Sequence, residues 1–424
     1  MPSSVPAVQM TRRQWGIVLL IGAVQFVNIL DFVIVMPLGP DFATALGIPE
    51  SHLGYVGGAY TAAACVSGLI GSLFLDRFDR RKALAVTMLG LVVGTASASF
   101  AVDLPTLLMA RVVAGAFGGP ATSISFSIIS DAIPNSLRGR AMGTVMGAFS
   151  IASVLGVPTG LWLAEAFNWQ APFIGVAAVG LVVAAAAIFA LPPMTGHLEG
   201  EKKKVDVLAL VSDPLVQMSF LMTAIVMMAG FVIIPNIAAY LQLNLGFPRS
   251  ALKWAYGVGG VASLLATQLG GRAVDRFGSF RVGSVGALMV VGVVFGFFYL
   301  PHDRGLPMWI VLWVFIGFMI SNGLRNVSYN TLTTKVPAPE VRARFQSLQS
   351  ATQHGASALA AMLSAQILTT TELPTRRLEH MDTVALVSIT LSLIIPLLLF
   401  LVERGVKRRA LTPGPLGAVG SGAG

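Results

Sequence analysis

Long apolar runs of about 20 to 27 residues, separated by short charged connections, dominate this chain and restrict what it can fold into. A run of that length matches the roughly 30 Å hydrocarbon core of a bilayer, and only a helix or a closed barrel satisfies its backbone hydrogen bonds in lipid. Twelve such spans are expected, starting near Gln14, Leu53, Ala83, Leu104, Ala141, Ala171, Leu215, Leu252, Val282, Met308, Ala343 and Thr383. Composition agrees: 55% of residues are hydrophobic, only 11% are charged, and the mean hydropathy is +0.78. The expected fold class is therefore an all-α membrane protein, with nothing left over for a soluble catalytic domain.

Positive loops are retained on the cytoplasmic side. Placing the N-terminus there puts 21 of the 28 Lys and Arg residues on that side and five on the other; Arg111 and Arg325 remain and fall within spans. Both termini are then expected in the cytoplasm. The net charge of +9 sits in these membrane-flanking loops, so topology and anionic headgroups account for it better than nucleic acid does. The single cysteine, Cys65, excludes an intrachain disulfide or a cysteine metal cluster. The first span exceeds the apolar core of a signal peptide and carries Gln25, Asn28 and Asp31, so it is expected to be retained.

The polar stretch 192–214 divides the spans into two groups of six, giving expected units of a short N-terminal tail (1–13), a first bundle (14–191), a linker, a second bundle (215–402) and a disordered Gly- and Pro-rich tail (403–424). The halves echo each other. "LDRFDRR" at 75–81 returns as "VDRFGSFR" at 274–281, relating Asp76 to Asp275 at an offset of 199, and "FVIV" at 32–35 returns as "FVII" at 231–234 at the same offset. "PNSLRGRA" returns as "PAPEVRARF", with Arg138 matching Arg342. Parallel repeats about an axis normal to the membrane, with a site between the halves, suit alternating access.

These motifs make the chain resemble the major facilitator superfamily over residues 12 to 402. "SLFLDRFDRRKAL" is similar to the family's loop between spans two and three, with Ser72 and Asp79 where glycines are usual; the copy "GRAVDRFG" keeps both. Span four's "RVVAGAFGG" and span five's "GAFSIASVLGVPTG", with Gly147, Gly156, Pro158 and Gly160, resemble further motifs, the latter that of antiporters. It departs from the pattern where Val157 splits the usual Gly-Pro pair and Gln170 replaces an arginine. "LDFVIVMPLGP" resembles the twelve-span drug and sugar efflux branch, in which inward proton movement drives export. The resemblance implies two pseudo-symmetric six-helix bundles. It also implies a gating role for Asp76, Arg77, Arg80, Arg81, Asp275 and Arg276, holding the halves together when the transporter opens outward.

Asp31 is the acidic residue placed deep in hydrocarbon, where an ionised carboxylate costs several kcal/mol unless partnered or protonated. Its repeat equivalent is Gly230, an asymmetry that a folding requirement common to both halves does not predict. At 1.5 Å per residue Asp31 and Arg111 both lie about 10 Å below the outer surface. They can meet, since spans one and four are neighbours in the fold this chain resembles. Asp31 is read as the proton carrier and Arg111 as the group favouring its ionised form; the alternative is a static buried ion pair. Gln25, Asn28 and Asp31 share one helix face, which either lines a water-filled cavity or binds a neighbouring helix. Gln353 and His354 in span eleven are expected to line the cavity. Arg325 in span ten either attracts an anionic substrate or snorkels to the headgroups.

The five histidines show no metal-ligand spacing, and neither a phosphate loop nor a nucleophile triad is present, which argues against an enzyme and against ATP-driven transport. The expected function is proton-coupled export of small amphiphilic compounds by a monomer in the cytoplasmic membrane. The proton gradient would supply the energy, with no cofactor. The alternatives are sugar or metabolite efflux, nutrient uptake, or a transport-dead receptor on the same fold.

Overall fold

In the computed structural model the described residues are 10–195, 207–299, 307–338, 341–371 and 376–411, without a few side chains inside them, Asp76's included. Twelve long helices follow one another: α1 Arg12–Ile34, α2 Leu53–Phe74, α3 Arg80–Ala98, α4 Leu104–Ala132, α5 Arg140–Ala166, α6 Ala171–Ala190, α7 Pro214–Phe231, α8 Leu252–Phe277, α9 Ser279–Tyr299, α10 Met308–Thr333, α11 Arg342–Ile367 and α12 Met381–Leu411. Their starts are written in the sequence. Thr11 and Gln14 close a capping box on α1, and Asp103 and Thr106 do so on α4. Asp79 caps α3 through the Arg81 N–H, and Asp213 caps α7 through the Leu215 N–H.

Ten of these segments are long and apolar enough to cross a membrane; α8 and α11 are long but too polar. Gln346, Gln349, Gln353 and His354 lower the hydropathy of α11, and Lys253, Gln268, Arg272, Asp275 and Arg276 that of α8. Both lie between the halves, α11 against α2 and α8 against α5. A helix that faces protein rather than lipid tolerates such residues. The approach is close: a Cβ on Gly54 of α2 would collide with the Ala361 carbonyl of α11.

Several boundaries differ from expectation. The helix of span three starts at Arg80, not Ala83. The helix leading into α5 begins at Asn135, and a π turn over Ala152–Gly156 interrupts the span. Span seven breaks after Phe231 because Pro235 has no N–H and its ring crowds the carbonyl four residues back; a 3-10 turn, Ile234–Asn236, and a short helix, Ile237–Leu243, complete the crossing. A six-residue helix, Val207–Ser212, lies in the expected linker. α12 continues to Leu411, past the expected start of a disordered tail at 403, because Lys407 pairs with Glu403 and Arg409 with Asp213. The fold is also not wholly helical. Thr369–Thr371 and Arg377–Glu379 form an antiparallel hairpin between α11 and α12, with Thr370 opposite Leu378.

We call the side carrying the start of α1 and the end of α12 the terminal face and the opposite side the far face. On the far face the halves are tied by ion pairs: Asp41 to Arg249 (2.7 Å), Glu165 to Lys253 (2.7 Å) and Glu50 to Arg376 (3.0 Å). The hairpin joins this closure through Thr370, whose hydroxyl accepts from the Ser51 N–H.

Candidate functional site

α1 and α4 bring Asp31 and Arg111 together at the depth their positions require. The guanidinium grips the carboxylate with two bonds, Nη1 to Oδ1 at 3.0 Å and Nη2 to Oδ2 at 3.1 Å, and both side chains are 0% exposed. Thr95 of α3 donates a third bond to Oδ1 at 2.8 Å. Tyr60 of α2 lies under the guanidinium, 4.8 Å from ring centre to Cζ, adding a cation–π contact. Four helices therefore converge on one carboxylate. Removing either charge would leave the other buried and unpaired.

The same network absorbs Asn28. Its Oδ1 accepts from the Tyr60 hydroxyl, while Nδ2 donates to the Gly118 carbonyl (2.9 Å) and to Thr122 (2.6 Å). Of the two roles the sequence allowed, helix-to-helix bonding is the geometry observed. Gln25 is 5% exposed, and its Nε2 has no partner among the described residues.

The antiporter-like segment packs directly behind Asp31. A Cβ on Gly156 would stand 2.7 Å from Leu30 Cδ1, and one on Gly160 would collide with Ile34. Leu30 and Ile34 flank Asp31 on α1, so these glycines set how closely α5 approaches the helix that carries the carboxylate. Gly147 lies at the end of the first helical piece of span five, and Pro158 approaches α8, 3.5 Å from a Cβ built on Gly257.

Among the described residues the second half has no such pair. Arg325 of α10 is 2% exposed and bonds to Asn322 Oδ1 at 2.6 Å. Snorkelling to the headgroups is therefore not what it does. Gln353 of α11 donates to the Tyr329 hydroxyl at 2.9 Å, and Gln349 to Thr223 of α7 at 2.7 Å. His354 is half-buried beside them on α11.

The charged turn between α2 and α3 binds within its own half. Arg80 pairs with Asp131 at the end of α4 (3.3 Å), Arg81 Nη1 donates to the Leu191 carbonyl beyond α6 (3.3 Å), and Asp79 accepts from the Met194 N–H (3.2 Å). Arg77 is exposed, and the side chain of Asp76 lies outside the described residues. Asp275 and Arg276 are exposed at the end of α8, with Arg276 over the Phe277 ring.

Sequence reasoning missed Thr95 and Tyr60, since a threonine and a tyrosine in apolar spans carry no signal of their own. It also missed the far-face ion pairs, whose partners lie far apart in the chain. One contact was available and overlooked. Phe32 and Phe231 are repeat equivalents at the 199-residue offset, and they stack across the halves with ring centres 5.7 Å apart.

A polytopic helical bundle with a buried ion pair in its first half and paired α2–α11 and α5–α8 seams between halves has the form of a membrane transporter rather than an enzyme. The Major Facilitator Superfamily profile matches residues 21–361 and 220–421, and the chain belongs to that family. Relatives include the inner membrane transport protein YdhP of Escherichia coli K12, 24% identical over 66% of this chain and 71% of the relative. A purine ribonucleoside efflux pump, NepI, of Escherichia coli O6:K15:H31 is 27% identical over 67% and 70% respectively. A chloramphenicol resistance protein of Streptomyces lividans is 24% identical over 60% and 66%. Among solved structures, a bacterial homologue of the human lysosomal transporter Spinster, inward-facing and unoccupied, superposes with a TM-score of 0.72 at 16% identity, covering 96% of this chain and 100% of that one. A D-xylose–proton symporter gives 0.72 at 17% identity, covering 91% and 97%.

Proposed function

We propose that this transporter exports small organic molecules against inward proton movement, with Asp31 as the proton carrier. The observation that carries this reading is the Asp31–Arg111 pair: a fully buried carboxylate, held by one arginine and one hydroxyl, with no counterpart among the described residues of the other half. A carboxylate that merely braced two helices would be needed equally in the second half, where glycine stands. In hydrocarbon, protonation discharges Asp31 and releases Arg111 from it, so the pair has two states of different charge. Phe32 and the flanking Leu30 and Ile34 carry that change toward Phe231 and toward Gly156 and Gly160, the contacts through which α1 touches the other half and α5. With the termini in the cytoplasm, as the loop charges favour, the far face is the outer one and the ion pairs across it hold a state closed to the outside. The relatives named for efflux and for drug resistance support export, and the low charge of the spans, with 11% charged residues in the whole chain, suits amphiphilic compounds.

The test is flux in proteoliposomes with and without an imposed pH gradient, for the wild type and Asp31→Asn. Export should rise with the gradient in the wild type. In the variant it should no longer respond to the gradient, while exchange of substrate for substrate continues. Gradient-driven transport that survives in Asp31→Asn would sink the proposal.

A further inference from the structure

Arg325 is a buried cation with no balancing carboxylate beside it among the described residues. Arginine stays protonated at any physiological pH, and a guanidinium taken out of water without an anion is strongly disfavoured. Its Nη2 donates to Asn322 one turn back on the same helix, while Nε and Nη1 have no hydrogen-bond partner among the described residues. No carboxylate among the described residues lies within ion-pair distance. The described acidic residues of the second half sit at helix ends or in connections: Asp213 before α7, Asp275 in the last turns of α8, Glu379 in the hairpin, Asp382 at the start of α12 and Glu403 near its end.

The repeat shows where a carboxylate would belong. Gly230 of α7 is the counterpart of Asp31 of α1, and a Cβ built on Gly230 would lie 3.1 Å from Arg325 Nη2 and 3.8 Å from Asn322 Oδ1. The arginine of the second half is thus aimed at the position that, in the first half, holds the carboxylate bound by Arg111. One half supplies its own anion and the other does not.

We infer that Arg325, with Asn322 beside it, binds an anionic group of the transported molecule, a carboxylate, at the place Asp31 occupies in the other half. The planar guanidinium matches a carboxylate in shape and donor spacing. Tyr329, one turn along α10, and Gln353 of α11 give the same region further hydrogen-bonding groups. The substrate class is then narrowed to organic anions with an apolar body. This deepens the transport reading above and rests on it for the word substrate, but its test needs no gradient.

The test is thermal unfolding of the purified full-length protein in detergent, with sodium benzoate, its neutral analogue benzamide, and sodium chloride at matched ionic strength. Benzoate should raise the wild-type midpoint by a few degrees, and benzamide and chloride should not. Arg325→Gln should abolish that shift. Gly230→Asp, which keeps Arg325 and supplies a carboxylate in cis, should raise the midpoint without ligand and remove the benzoate response; Gly230→Asn should not raise it. Because Gly230→Asp leaves the arginine in place, it decides the question even if Arg325→Gln fails to fold. No benzoate shift in the wild type, or a shift that persists in Gly230→Asp, overturns the inference. Loss of pH-driven flux with the benzoate response intact would sink the antiport reading and leave this one standing.

Discussion

At the scale of single residues, Asp31 and Arg325 pose the same electrostatic question and receive different answers. Asp31 meets Arg111, Thr95 and, through the guanidinium, the face of Tyr60. Replacing it with Asn keeps the shape and loses the charge, which leaves Arg111 buried without its anion. Breaking a buried pair in this way costs about 3–5 kcal/mol. Asp31→Asn is expected to lower the unfolding midpoint in detergent as well as to uncouple transport, and a midpoint equal to the wild type would mean that the pair is not buried as described. The depth argument from sequence brought these two residues to one level because both spans are continuous helices near that point. It gave no access to Thr95 or Tyr60, because a hydroxyl in an apolar span is bonded or unbonded according to which helix lies against it.

At the scale of helices, small residues and caps decide the geometry. Gly156 lets α5 lie against Leu30, and Gly156→Leu should force α5 away from α1 at a cost of about 1–3 kcal/mol. Unfolding and flux measured together on that variant should both fall; normal stability and flux would show that the approach is not needed. Asp213 caps α7 and pairs with Arg409 at the end of α12. Burial pushes its carboxyl up, but the Arg409 guanidinium and the Leu215 N–H outweigh that and hold it below the usual carboxylate value. A depressed folded-state value means that its stabilisation is present above the ordinary value near pH 4 and is lost as the pH falls below it. Asn caps a helix as well as Asp does, so Asp213→Asn loses only the charge pair with Arg409 and should unfold earlier than the wild type at neutral pH by at most about 1 kcal/mol, and the difference should vanish in acid. A gap that persists in acid would assign the effect to packing. The break in span seven follows from Pro235, and the π turn in span five contains Val154, whose carbonyl Pro158 leaves without its usual N–H partner.

At the scale of the whole molecule, closure of the far face is divided among ion pairs, the hairpin and the Phe32–Phe231 stack. A half-exposed pair contributes about 1 kcal/mol at most, roughly a fivefold shift in a two-state equilibrium. Neutralising Arg249 and Lys253 together should therefore shift the population toward a form open on the far face without unfolding the protein. Distances between spin labels at the far ends of α2 and α11 would report this, and unchanged distributions would show that the ion pairs do not hold the closure.

The membrane class, the twelve helices, the repeat and the candidate acid were all legible in the sequence, because each depends on local quantities: run length against bilayer thickness, charge against loop position, and similarity at a fixed offset. The tertiary structure alone decided which polar groups meet. Asn28 turned inward to Tyr60 and Thr122, Arg325 came to face Gly230, and Asp41 found Arg249 across the seam. Such pairings depend on helix rotation and on contacts between segments far apart in the chain, and the periodicity of one span sets neither.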